Sequence, residues 1–99
     1  MTILSKKETG MGGSWILVDY GNKFFAYGYI QDSERLLDFP VDQCGSKKKV
    51  LEHCNLIARM CEQNIKRYQK ESVSGTTLLI ESEQKQLEVL REFARVLSQ

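Results

Sequence analysis

Histidine and cysteine are few in this chain of 99 residues, and their number and spacing close off several chemistries. The single histidine, His53, stands beside Cys54 in a helical pattern, and no spacing around it supports a Ser-His-Asp or Cys-His nucleophile. Cys44, His53, Cys54 and Cys61 offer no C-x-x-C spacing, which argues against a zinc site. Cys54 and Cys61 lie seven apart on one helix pattern. Their Cα atoms would then stand about 10 Å apart along the axis. That is beyond disulfide reach. Three thiols without a geometric pair point to a reducing, cytoplasmic setting, with Cys54 and Cys61 as small core residues. No apolar run approaches the ~18 residues of a membrane-spanning helix. The opening MTILSKKETG shows no apolar signal-peptide core. An excess of one charge is also missing: 14 basic and 13 acidic residues leave a net charge of +1. That balance argues against strong non-specific affinity for nucleic acid or anionic lipid. The glycines of GMGG lack both the Lys-Ser/Thr ending and the preceding strand of a phosphate loop.

The residues present make one domain, since a chain this short has no room for two independent cores. Residues 1–14, ending in ETGMGGS, read as a flexible tail, and the domain runs from 15 to 99. WILVDY is a nearly continuous apolar run of strand formers. KFFAYGYIQ alternates, with Phe25, Tyr27 and Tyr29 on one face. A turn through Tyr20, Gly21, Asn22 and Lys23 joins the two as a hairpin, because Gly and Asn tolerate positive φ. Gly28 suggests a bulge or a close backbone approach. RLLDFPV (35–41) reads as a third strand, with Pro40 at an edge or strand end, and DQCGSKKK as a loop. Ser46 then caps a helix from Lys47 to about Lys70, whose Val50, Cys54, Ile57, Cys61, Ile65 and Tyr68 recur at three and four. TTLLIE (76–81) reads as a fourth strand, and Ser82 as the cap of a final helix. The expected fold is α+β, in the order β-β-β-α-β-α. Two helices pack on a mixed, mostly antiparallel sheet, and a right-handed crossover sets the fourth strand parallel to the first.

The hairpin ILVDYGNKFFAYGYI resembles the first hairpin of the RNase H-like nucleases, especially the Holliday-junction resolvases. In that family a strand ends in Asp, a Gly-containing turn follows, and the next strand carries a Gly-Tyr-Gly-like element. LLIES is similar to the family's fourth strand, which ends in a metal-binding Glu. The resemblance spans roughly residues 15–85. It implies that Asp19 and Glu81 share Mg²⁺ or Mn²⁺ for phosphodiester hydrolysis, a chemistry that needs clustered carboxylates. The family's further strand and its Asp-bearing helix have no counterpart here, and Glu88 and Glu92 do not match its motif. The competing reading, weighted above it, makes Asp19 a strand-end residue bonding turn amides, with no catalytic residue, metal or cofactor.

Three observations favour a small non-enzymatic protein-interaction module, such as an accessory protein or inhibitor encoded by a phage or mobile element. No complete catalytic constellation is visible, the last helix carries a surplus stripe (Val89, Phe93, Val96), and the aromatic hairpin could present a surface through Phe25, Tyr27 and Tyr29. The same stripe would serve a homodimer. A third reading is a non-catalytic nucleic-acid binder using Lys47, Lys48 and Lys49 with Tyr27 and Tyr29. Those lysines have the wrong sign for a helix N-terminus and ask for an explanation.

Overall fold

Four strands precede two helices along the chain: β1 (Thr2–Glu8), β2 (Gly13–Gly21), β3 (Phe24–Gln31), β4 (Val41–Gly45), α1 (Lys47–Lys70) and α2 (Thr76–Leu97). The computed structural model describes residues 1–35, 41–71 and 75–99. The strands form an antiparallel meander in the order β1-β2-β3-β4. The helices run antiparallel, since Lys47 at the start of α1 donates to the Gln99 carbonyl oxygen and Asn64 donates to Glu83. The molecule is an α+β domain with two helices packed on an antiparallel sheet. Among the described residues no helix is long and apolar enough to cross a membrane.

The β2–β3 turn forms where the sequence places it. Asn22 (φ 54°) and Lys23 (φ 61°) both adopt positive φ, the signature of a two-residue turn that matches strand twist. Gly21 precedes them at φ 88° and shifts the register between Asp19 and Gly21. Asp19 closes this corner, its Oδ1 accepting from the Gly21 amide at 2.8 Å. A second register shift, between Tyr27 and Gly28 against β4, is the irregularity that Gly28 suggested. Gly13 has a packing reason: a Cβ there would collide with the Tyr29 ring.

Three elements differ from the sequence expectation. Residues 2–8, expected in a flexible tail, form β1 and pair with β2 from Thr2↔Asp19 to Glu8↔Ser14. Nearly all of its side chains are exposed, so backbone pairing holds it and no apolar alternation announces it. Residues 76–81, expected as a strand parallel to the first, begin α2 instead. The helix starts at Gly75 in a left-handed conformation (φ 90°), and Ser82 lies inside it. Helical phase explains this: Leu79, Leu90 and Leu97 are 11 and seven residues apart, a spacing that keeps one face. That continuity outweighs the strand preference of two threonines and an isoleucine. The expected third strand at 35–41 falls largely on residues 36–40, outside the described residues, while β4 begins at Val41 and takes in Asp42 to Gly45, read as loop.

Ser46 caps α1 as expected, its Oγ accepting from the Lys49 amide at 3.2 Å. The core lies between one sheet face and the helices. Leu17 and Tyr27 meet Val50, Cys54, Ala58 and Cys61 from α1 and Leu87, Val89, Leu90, Phe93 and Leu97 from α2. Phe93 is fully buried, with its ring 5.9 Å from that of Tyr27. Burial of a side chain this size contributes roughly 1.5–3 kcal/mol. On the other face Ile16 and Val18 form a smaller cluster with Tyr20 and Ile30.

Candidate protein-interaction site

The helices outreach the sheet. All buried residues of α1 lie between Val50 and Cys61, and all those of α2 between Leu87 and Leu97. The rest, about nine residues of α1 and 11 of α2, holds no buried side chain among the described residues. Two apolar stripes nevertheless run on into it. Leu78 shares a helical face with Val89 and Val96, and Leu79 with Leu90 and Leu97. Val89 and Leu90 are 9% and 1% exposed, whereas Leu78 and Leu79 are 71% and 49% exposed. Among the described residues, nothing covers here the face that further along sits on the sheet. Ile65, Tyr68 and Ile80 are only half-buried in this overhanging half of the hairpin.

A groove of about 310 Å³ opens where the sheet ends, lined by Lys7, Thr9 and Trp15 from the sheet side and by Lys85, Glu88 and Val89 from α2. Its floor is rigid. Trp15 meets Tyr29 edge-on at 5.5 Å, and Tyr29 hydroxyl shares a 3.1 Å hydrogen bond with Thr9 Oγ1. Thr9 Oγ1 also donates to the Gly13 carbonyl, which fixes the β1–β2 connection. Met11 at that connection is 84% exposed. Among the described residues the ion pairs are Lys48–Glu52, Glu62–Arg91 and Glu92–Arg95, so the charges of Glu81, Lys85 and Glu88 stand outside any of them. Hydrogen bonding to Arg95, with a weaker contribution from Lys7, holds the Glu92 carboxyl below its ordinary range.

The interaction residues expected from the sequence are mostly consumed by the fold. Val89 and Phe93 are buried in the monomer, and Val96 is half-buried against the same core. Tyr27 is 3% exposed, Phe25 packs against the core, and Tyr29 meets Trp15 edge-on. The stripe is real, but its surplus lies about three to five turns earlier, at Leu78 and Leu79. The signal that locates it is their spacing of 11 residues from Val89 and Leu90.

Asp19 and Glu81 do not come together. Asp19 ends β2 opposite Phe25, which pairs with Gly45 just before α1. That end of the sheet lies beside the C-terminus of α2, and Glu81 is 16 residues earlier on that helix, about 24 Å along its axis. No cluster of three or more His, Cys, Asp or Glu side chains suited to a metal occurs among the described residues. Lys47, Lys48 and Lys49 are exposed, and their unfavourable place at a helix start has a partial answer. The Lys47 ammonium donates to Gln99 at 2.7 Å, at the negative end of α2.

A part-buried polar pair lies elsewhere, at the junction of sheet and α1. The Tyr27 hydroxyl and His53 Nδ1 are 2.7 Å apart. Burial raises the Tyr27 phenol well above its ordinary range. Burial also raises the Asp42 carboxyl, an effect the nearby His53 opposes. The Cys54 and Cys61 thiols are pushed up to about 12 by burial and are poor nucleophiles. Comparison of the chain with protein-family models, curated proteins and solved structures gives no match.

Proposed function

We propose that this chain is a non-enzymatic protein-interaction module, and that it binds with the underside of the overhanging half of its helical hairpin. The observation that carries the reading is the exposed end of the α2 stripe: Leu78 is 71% exposed on the face that buries Val89. A large apolar side chain on a helix, next to a groove lined by Trp15, has the anatomy of a binding surface with an anchor and a pocket. The module acts by occupying a surface on another protein, as accessory proteins and inhibitors do.

The test compares immobilised wild-type chain with Leu78→Asp/Leu79→Asp. Both positions lie outside the core, so the variant folds with unchanged circular dichroism and thermal midpoint. Proteins captured by the wild type are expected to be depleted at least tenfold on the variant, the factor corresponding to about 1.4 kcal/mol. Identical capture by both would refute the assignment. A Lys47→Ala/Lys48→Ala/Lys49→Ala variant serves as the control and retains capture.

A further inference from the structure

We propose that the underside of the overhang docks a second copy of this chain, with the two α2 helices antiparallel about a two-fold axis at the level of residue 83. This inference rests on the interaction reading above and names its partner. Leu78, Glu81, Lys85, Glu88 and Val89 fall within an arc of about 100° on α2, by helical periodicity. They therefore meet a neighbouring helix together. An antiparallel axis at residue 83 sets Glu81 opposite Lys85 of the second copy, and Lys85 opposite its Glu81. The same axis sets Leu78 opposite Glu88 and Val89, at the mouth of the groove floored by Trp15. Two antiparallel registers pair these charges, Glu81 with Lys85 about residue 83 and Lys85 with Glu88 between residues 86 and 87, and only the first also brings Leu78 to the groove. A parallel arrangement would instead set Glu81 on Glu81 and Lys85 on Lys85, with Leu78 remote from either groove. Glu81 and Lys85 stand outside the described ion pairs within the monomer. By symmetry each knob, groove and charge pair occurs twice, an isologous interface.

Sedimentation equilibrium across micromolar to millimolar chain tests this. The wild type is expected to form a dimer whose fraction rises with concentration. Leu78→Asp should stay monomeric throughout, with the thermal midpoint that the wild type shows at low, monomeric concentration. Glu81→Lys alone, or Lys85→Glu alone, should weaken the dimer by about tenfold, because each turns two attractive pairs repulsive. The exchange Glu81→Lys/Lys85→Glu should return the dissociation constant to within about threefold of wild type, as a reciprocal pair requires. A wild type monomeric at the highest concentration overturns the inference. So does a dimer indifferent to Leu78→Asp, or a charge exchange that does not recover. If the wild type is monomeric while Leu78→Asp still abolishes capture of another protein, the two-fold dimer falls and the interaction reading stands. If Leu78→Asp changes neither association nor capture, both fall.

Discussion

The helical hairpin has two halves built from the same kinds of residue and put to different uses. In the seated half, Leu87, Val89, Leu90, Phe93 and Leu97 meet the sheet and the α1 residues Val50, Cys54, Ala58 and Cys61. In the overhanging half the stripes continue through Leu78 and Leu79, which stay 71% and 49% exposed. Apolar periodicity says which face of a helix seeks cover; it does not say whether the monomer supplies it. What supplies it is the length of the partner element. Four strands of at most nine residues support only part of helices 24 and 22 residues long.

The sharpest way to break this comparison is to remove a side chain from each half. Phe93→Ala empties a fully buried site in contact with Tyr27 and should destabilise the fold by roughly 3–5 kcal/mol. That is a large share of the stability of a domain this size and should show as a collapse of the urea midpoint. Equal effects from Phe93→Ala and Leu79→Ala would mean that the halves do not differ.

A change of pH addresses the seated half alone. The ionisable groups raised by burial at its core are Cys54 and Cys61, moved from 9.0 to about 12, and Tyr27, raised above 10.0. The folded chain keeps protons that the unfolded chain releases, so the stability these groups contribute is complete below pH 9.0 and declines as pH rises toward about 12. Urea midpoints measured from pH 8 to 11.5 should fall progressively, and Cys54→Ala should make the fall shallower. A flat profile to pH 11 would contradict the buried placement of these groups. Leu78→Asp should leave the profile's slope unchanged, because none of these groups lies in the overhang. A smaller effect comes from Tyr27→Phe, which strips His53 Nδ1 of its 2.7 Å partner and should destabilise by about 0.5–1.5 kcal/mol at neutral pH.

Much of the seated half was legible in the sequence. The three-and-four recurrence from Val50 to Ile65, the Ser46 cap and the Gly21-Asn22 turn each state their local structure, and each forms. β1 was illegible for a physical reason: an edge strand that buries no side chain fully carries no alternation. The start of α2 misleads because a short apolar run after two threonines has no period of its own. Only its phase with Val89 and Leu90, read across 11 residues, marks it as helix. The candidate site inherited that error. Once TTLLIE is taken as a strand, Leu78 and Leu79 become core and Val89 and Phe93 become surplus, the reverse of their burial. Asp19 was legible in its turn-bonding role, since its carboxylate accepts from the amide two residues on.

The smallest expected effect sharpens the comparison most. Leu78→Ser removes a leucine from a monomer that hardly covers it, so its stability change should stay within about 0.5 kcal/mol. Hydrogen exchange gives the same contrast without mutation. Amides of residues 80–85 should exchange through local opening, well before those of residues 88–97, which are held by the core and open with the whole domain. Measured at low chain concentration, the two segments should differ in protection by at least tenfold. Raising the concentration should slow residues 80–85, and residues 88–97 by a comparable factor, because a dimer that forms only from the folded chain also opposes global opening. Uniform protection along α2 at every concentration would mean that the monomer already supports its whole length, and Leu78 would then be an ordinary exposed leucine.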